Sequence, residues 1–268
     1  MAAGSQLGLA LPDHAAGRGP IAVVGFSGGV TSAWCAGWAL RNYPRDRVVL
    51  LFHDTKEEHE DTYRFIREMS AALGVPITER SDGRSVTQLF RDEGYLGNNQ
   101  HTFCSRILKA EQGSSFVRDL KAQGETSIHK IIGYSAKEPL RVQRMVGYCA
   151  NEGITARFPV IETGVTKQQC ADWVRCEIGI QPPWMYQHFE HANCPGCVRG
   201  GRAYWLKTHE VLPEVFEQRA GLEEEFGHEI IRGGGRERVT LRQLLATGLK
   251  RAVHQRERIE IGACECGD

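Results

Sequence analysis

The sequence has no excess of either charge: 33 Lys and Arg stand against 33 Asp and Glu. That balance removes the general electrostatic argument for a polyanion or membrane-surface binder, while leaving room for a local basic groove. No apolar run approaches the roughly 18 residues that a membrane-spanning helix needs. The opening MAAGSQLGLALPDHAAGRGP lacks the basic start and long apolar core of a secretory signal. A cytoplasmic, non-membrane protein with a loose tail over residues 1–20 is therefore expected. Internal repeats and low-complexity segments are also missing. With 268 residues, 41% of them apolar, the chain can bury one large core and an appended lobe. What it does have is nine cysteines. In a cytosolic chain these point to metal ligands, reactive thiols or small buried residues rather than a disulfide framework.

Short apolar runs alternate with helical stretches. Ile21 to Phe26 (IAVVGF) leads through SGGVTS into AWCAGWALRNY, which ends before Pro44, giving strand, glycine turn and helix. Val48 to Phe52 precedes Asp54-Thr55 and a charged helix from Glu57 to Leu73, with Tyr63, Phe65, Ile66, Met69 and Leu73 at helical spacing. Val75 to Thr78, Ile128 to Gly133 and Arg157 to Ile161 supply three further strands. Near-continuous apolar strands between helices predict an α/β fold: a Rossmann-like, doubly wound, mostly parallel five-stranded sheet covered on both faces. Ligands of such sheets lie beyond the carboxyl ends of the strands, so Ser27 to Ser32, Asp54-Thr55 and Gly133-Tyr134 are expected to share one cleft. After residue 165 the pattern changes to helices, a Cys-rich loop at 193–201, a Gly-rich turn at 233–235 and the tail GACECGD. The predicted division is thus a nucleotide-binding domain over 21–165 and a helical, Cys-rich lobe over 166–268.

Ser27-Gly28-Gly29-Val30-Thr31-Ser32 places two glycines and three hydroxyls between a strand and a helix start. Glycine permits a backbone turn whose N–H groups converge on a phosphate, with the helix dipole behind them. An ordinary turn with Thr31 or Ser32 as N-cap uses the same residues. The segment is neither a dinucleotide fingerprint nor a Walker A loop, since no Gly-Lys-Ser/Thr follows. Asp54, at the end of the second strand, can touch a nucleoside or cation, or cap a helix. Lys109, Lys137, Arg141 and Arg144 are cations that the sheet order brings towards the cleft, although each taken alone also reads as solvated surface.

These segments, in this order, resemble the PP-loop superfamily and in particular the phosphoadenosine-phosphosulfate (PAPS) and adenosine-phosphosulfate (APS) reductases. FSGGVTS is similar to that family's SFSGG-type loop, FHDTKEEHEDTYRFI to its DTG strand-to-helix stretch, and FCSRILKAE to its Cys-containing helix start with a downstream Lys. IGYSAKEPLR resembles its phosphate-side loop, and the run 158–205 (FPVIETG to GGRAYW) its segment ending in a CxxC and G-R-W. The resemblance covers about 21–205 and implies an adenine nucleotide (APS, PAPS or ATP) at Ser27, Gly28, Gly29, Thr31, Ser32, Asp54, Lys109, Gly133, Lys137 and Arg141. ATP-splitting members carry Asp where this chain has Thr31, which weakens Mg-ATP cleavage and leaves binding of an adenylated anion intact.

Cys194-Pro195-Gly196-Cys197 is a tight CxxC, able to chelate a metal, to cycle as a dithiol, or to do neither. Its place in a loop after the core, instead of opening a helix near the N-terminus, favours a metal. The resemblance adds Cys104: APS-type reductases hold a [4Fe–4S] cluster through a Cys pair about ninety residues before a CxxC, of which only Cys104 is present, because position 103 is Phe. Three thiols are one short of the usual shell, which Cys264 or Cys266 completes or which leaves one iron open. Zn²⁺ held by Cys104, Cys194, Cys197 and a tail cysteine is the alternative. Glu265-Cys266-Gly267 resembles the segment whose Cys is the nucleophile of sulfonucleotide reductases, with a thiol or thioredoxin-like donor releasing sulfite. The family's following Leu/Ile-His is missing, so Cys266 reads equally as nucleophile and as ligand. Cys35, Cys149, Cys170 and Cys176 fall at apolar positions and are expected to pack in or near the core, while His188 and His191 are alternative ligands. The resemblance thus implies sulfur chemistry on an adenylylated sulfate. Two further readings stay open: thiolation of tRNA or DNA by the same loop and cluster, and a non-catalytic nucleotide-binding protein with structural zinc.

Overall fold

A computed structural model describes residues 19–232, 238–247 and 259–261. Strand β1 (Ile21–Gly25) runs into helix α1 (Val30–Asn42), and β2 (Val48–His53) into α2 (Glu60–Leu73). Helix α2 starts at His59, whose Nδ1 accepts from Asp61 N at 3.1 Å. It stops at Gly74, whose φ of 63° is a left-handed conformation that ends the helix at little steric cost. Then follow β3 (Ile77–Arg80), α3 (Val86–Asp92), α4 (Phe103–Ser105), a π-helical segment Arg106–Glu111, α5 (Gln112–Ala122), β4 (Ile128–Ile131), α6 (Pro139–Asn151) and β5 (Thr155–Arg157).

The five strands form one parallel sheet in the order β3-β2-β1-β4-β5. The chain winds outwards from β1 in one direction, then returns to β1 and winds in the other, so the switch point lies between β1 and β4. In sheets wound this way, ligands bind beyond the carboxyl edge at that point. Two strands are shifted from the sequence expectation. The third begins at Ile77, beyond Pro76, which has no N–H to give a ladder. The fifth is Thr155–Arg157, because Pro159 starts helix α7 (Pro159–Thr163), a first-turn position that suits proline's fixed φ.

Side-chain alternation sends Ala22, Val24, Leu50 and Phe52 to the α1 face, with Phe65, Met69 and Trp38 packed on them. Ile21, Val23, Val49, Leu51 and Ile128 go to the other face, against Phe116, Val117 and Leu120 of α5. Helix α8 (Lys167–Asp172), the π-helical Trp173–Glu177 and α9 (Met185–His188) follow; Cys170, Val174 and Tyr186 from them join the α1 core. The last part consists of α10 (Arg202–Val211), α11 (Pro213–Phe226), the antiparallel pair β6 (Ile231–Arg232) and β7 (Arg238–Val239), and α12 (Leu241–Thr247). Its core of Trp205, Phe216, Leu241 and Leu244 also takes in Val86, Phe90, Phe103 and Leu108. Each such fully buried side chain contributes about 1.5–3 kcal/mol. Packing therefore crosses residue 165 in both directions: 170–186 joins the sheet, and 86–108 joins the Cys-rich part. Cys35, Cys149 and Cys170 are buried as expected, whereas Cys176 is exposed in the π-helical turn.

Candidate functional site

The glycine loop after β1 is closed by its own residues and by a distant tyrosine. Ser32 is buried, and its Oγ donates to Gly29 O at 2.8 Å and accepts from Ser27 N at 3.2 Å. The Ser32 hydroxyl thus shapes the loop from inside, and Ser27 is the exposed serine. Gly28 has φ 76°, and a Cβ there would stand 2.6 Å from Thr62 Cγ2, so only glycine lets α2 approach this closely. Helix α1 has no side-chain cap at Gly29. Helix starts leave first-turn N–H groups without intrahelical partners, and here Val30 N donates to the buried Tyr186 Oη at 3.2 Å. Burial pushes the Tyr186 hydroxyl up to about 12, so it is a neutral cap.

Across the switch point, Gly133 follows β4. A Cβ on it would lie 3.0 Å from the Thr31 carbonyl carbon, which brings the 133–138 loop against the glycine loop. In that loop Glu138 Oε2 accepts from Ser135 N at 3.0 Å. Arg141 is ion-paired with Glu138 and lies 4.2 Å over the Tyr134 ring. Lys137 is exposed. Asp54 is buried and bonds both its own loop and α2: it accepts from Lys56 N at 2.8 Å and from Tyr63 Oη at 2.6 Å. Burial works to raise its pKa, but the Tyr63 hydroxyl and Lys56 outweigh this and hold the carboxyl below its ordinary value.

A second cluster gathers on the same β2–α2 loop. Glu58 Oε1 accepts from Lys109 Nζ at 3.2 Å, from Cys194 Sγ at 3.3 Å and from Thr55 Oγ1 at 3.2 Å; Thr55 Oγ1 also lies 3.3 Å from Cys194 Sγ. Burial opposes the Lys109 charge, yet Glu58 and Cys194 beside it hold its pKa above the ordinary value. Burial pushes the Cys194 thiol up against the pull of Lys109, and pushes Cys104 up to about 11 with Cys197 adding to the rise. Cys104, Cys194, Cys197 and Lys109, distant in sequence, thus share one electrostatic neighbourhood.

The loop carrying the CxxC is tied down by Arg219 of α11, 1% exposed. Its Nε donates to Gly196 O at 3.0 Å, its Nη1 to Thr87 Oγ1 at 2.7 Å, and its Nη2 to Glu57. Tyr204 Oη accepts from Cys197 N at 3.1 Å. The adjacent Glu57 and Glu58 therefore divide the work: the first anchors the loop through Arg219, the second touches the Cys194 thiol. Sequence reasoning assigned no role to Glu57, Glu58, Tyr186, Tyr204 or Arg219. Nothing in local spacing links residues 130 to 160 positions apart, although the Glu57-Glu58 and Tyr186 segments lie inside the motif runs.

Three soft thiol donors suit iron–sulfur or zinc in chemistry. Among the described residues, however, no group of three or more His, Cys, Asp and Glu side chains could hold a metal ion. Cys264 and Cys266, the expected fourth ligand and nucleophile, lie outside the described residues. His188 and His191 are directed elsewhere: the first packs on Trp184 with ring centroids 4.4 Å apart, and the second lies 3.7 Å from Glu190. Among the described residues no helix is long and apolar enough to cross a membrane.

Residues 21–125 match the family model of the phosphoadenosine phosphosulfate reductase domain. An uncharacterised protein of Methanocaldococcus jannaschii is 23% identical over 211 residues, 78% of this chain and 49% of the relative, so the chain spans about half the length of the curated relative it matches. A solved phosphoadenylyl-sulfate (PAPS) reductase from Candida auris, in a phosphate complex, is similar at 20% identity with a TM-score of 0.30, over 42% of this chain and 54% of that one.

Proposed function

Residues 21–125 being a domain of the PAPS reductase type within the PP-loop superfamily, we propose that the chain binds an adenine sulfonucleotide at the switch point and reduces its sulfonyl group. The observation that supports this reading is the Gly133–Thr31 approach, which packs the segment after β4 against the glycine loop at the switch point. The first-turn N–H groups of α1 and the side chains of Ser27, Lys137 and Arg141 would meet the phosphosulfate. In the proposed chemistry the Cys266 thiolate attacks the sulfate sulfur. An S–S bond forms, the S–O bond to the nucleotide phosphate breaks, and AMP or adenosine 3′,5′-bisphosphate leaves. A dithiol donor, small or thioredoxin-like, then attacks the Cys266 sulfur, sulfite departs with the bonding pair, and the donor's second thiol resolves the mixed disulfide. No step runs through a metal. A [4Fe–4S] cluster or Zn²⁺ at Cys104, Cys194 and Cys197 is a separate part of the proposal, which needs a closed shell with Cys264 and is tested by iron, acid-labile sulfide and zinc per chain.

The deciding assay is anaerobic incubation with APS or PAPS and dithiothreitol. Sulfite and the matching nucleotide are expected from the native protein, and neither from Cys266→Ser. Nucleotide binding without sulfite from either substrate would overturn the enzymatic reading in favour of a non-catalytic binder. One observation favours a second reading, thiolation of tRNA or DNA. Helix α6 is exposed along most of its length, with Leu140 66% and Val146 48% exposed beside exposed Arg141 and Arg144. A nucleic-acid substrate predicts binding that weakens steeply with salt and is lost in Arg141→Ala/Arg144→Ala.

A further inference from the structure

Residues 259–261 come after the last helix in sequence, yet they lie against α8. Gln168 Oε1 accepts from Glu260 N at 2.8 Å, and Gln168 Nε2 donates to Glu260 O at 3.0 Å. One side-chain amide thus satisfies both backbone groups of Glu260, as a neighbouring strand would. Ile259 and Ile261, on either side of the exposed Glu260, pack on the α1 core. Two inward residues about an outward one give this piece of chain an extended course, and Gln168 is its anchor.

Beside the anchor, a groove of about 380 Å³ follows α8 and the π-helical Trp173–Glu177. Val165 and Gln169 line it next to Gln168, Trp34 and Trp173 give it aromatic walls, and Cys176 lines it further along the helix. Gln169, Trp173 and Cys176 are spaced four and three apart, so they share one helix face. Cys176 is exposed on that face. Gln168 and Cys176 are eight residues apart, about 12 Å along a helix axis. The four steps from Glu260 to Cys264 cover about 13 Å of extended chain. The residues that follow the anchor, Gly262, Ala263 and Cys264, lie outside the described residues and are all small. Such side chains suit a groove walled by two tryptophans.

We propose that this groove seats the segment after Ile261 and sets Cys264 against Cys176, so that the two close into a disulfide when a small-molecule disulfide oxidises them. The Cys176 thiolate attacks one sulfur of the oxidant, whose S–S bond breaks and releases a first thiolate. The Cys264 thiolate then attacks Cys176 Sγ and releases the second. The two cysteines give up two electrons, the oxidant takes them, and the two thiol protons go to the released thiolates. The anchor at Gln168 makes the second step intramolecular, at high effective concentration. A Cys264 sulfur in that bond cannot ligate a metal, so the oxidised chain and the closed metal shell proposed above exclude each other. The disulfide itself does not depend on the reductase reading.

The test uses the full chain, reduced, freed of reductant and treated with excess glutathione disulfide. The product is read by intact mass without reductant and by peptide maps after trypsin and chymotrypsin, which separate Cys176 from Cys194 and Cys197. The expected product is a monomer in which the Cys176 peptide is joined to the peptide that carries Cys264. The link should persist in Cys266→Ser and be lost in Cys264→Ser and in Cys176→Ser. A link from Cys176 to any other cysteine, disulfide-linked dimers, or glutathione adducts alone would overturn the proposal. A kinetic arm tests the groove. Gln168→Ala keeps a good helix former in α8 and removes the anchor, so closure should slow at least fivefold while the first attack by Cys176 keeps its rate. Closure at the native rate in Gln168→Ala would overturn the groove as the seat of the segment.

Discussion

The glycine-loop region and the thiol cluster share the β2–α2 loop but are built by different means. The glycine-loop region is made mostly of backbone: strand ends, a helix start, and two glycines, Gly28 and Gly133, whose missing Cβ atoms let α2 and the 133–138 loop close in. The thiol cluster is made of side chains brought from far apart, with Glu58 holding Lys109 and Cys194, and Arg219 holding the CxxC loop to Glu57. A backbone-built site tolerates changes of side-chain chemistry and fails on changes of size. A side-chain-built site does the reverse, because removing one partner strands a buried charge.

The sharpest way to break the comparison is at Arg219. Arg219→Met removes the cation beside Glu57 and leaves the Gly196 carbonyl without its donor, so a loss of about 3–5 kcal/mol in denaturant unfolding is expected. Alkylation of Cys194 and Cys197 should quicken in step. Arg219→Lys should restore part of the stability but not the three-way grip. A methionine variant as stable as the native protein, with unchanged thiol reactivity, would mean that the loop is held by packing alone.

His53 gives a contrasting test on the sheet's other face, where its buried Nε2 has no hydrogen-bond partner among the described residues. Its folded pKa near 4 lies below the ordinary 6.5, so between those values the unfolded chain binds a proton that the folded chain refuses. Stability should therefore fall as pH drops from 6.5 towards 4, by up to about 3 kcal/mol. The fall should be shallower in His53→Gln. Equal slopes for the two proteins would show that His53 is solvated.

Next come the glycines. Gly28→Ala places a side chain at positive φ against Thr62, and Gly133→Ala pushes on Thr31, each at an expected cost of about 1–3 kcal/mol. Nucleotide affinity should drop with little change in thiol reactivity. If thiol alkylation changes as much as nucleotide binding, the two regions are one mechanical unit and the contrast fails. The smallest effect is expected from Tyr186→Phe, which keeps the ring but leaves Val30 N–H uncapped, a loss of about 1 kcal/mol by thermal unfolding.

Much of the fold was legible because it depends on local pattern. IAVVGF and VVLLF read as buried parallel strands, SGG as a turn that needs glycine, and their order alone put the candidate site at the carboxyl edge. The strand errors arose where proline overrode apolar pattern, at Pro76 and Pro159. The candidate site was legible only as residue types. Ser32 and Asp54 were expected to meet a ligand; in the fold the Ser32 hydroxyl bonds Gly29 and Ser27, and the Asp54 carboxylate bonds Lys56 and Tyr63 of α2.

By itself, then, the sequence determined the α/β layering, the glycine turn and the identity of the thiols, since backbone propensity and hydrophobic alternation act over a few residues. Only the tertiary structure decided that Glu57 and Glu58 face Arg219 and Cys194, that Tyr186 caps α1, and that Gln168 grips the backbone of Glu260. Those pairings are set by which surfaces the sheet and the flanking helices bury against one another, a long-range choice that no local spacing encodes.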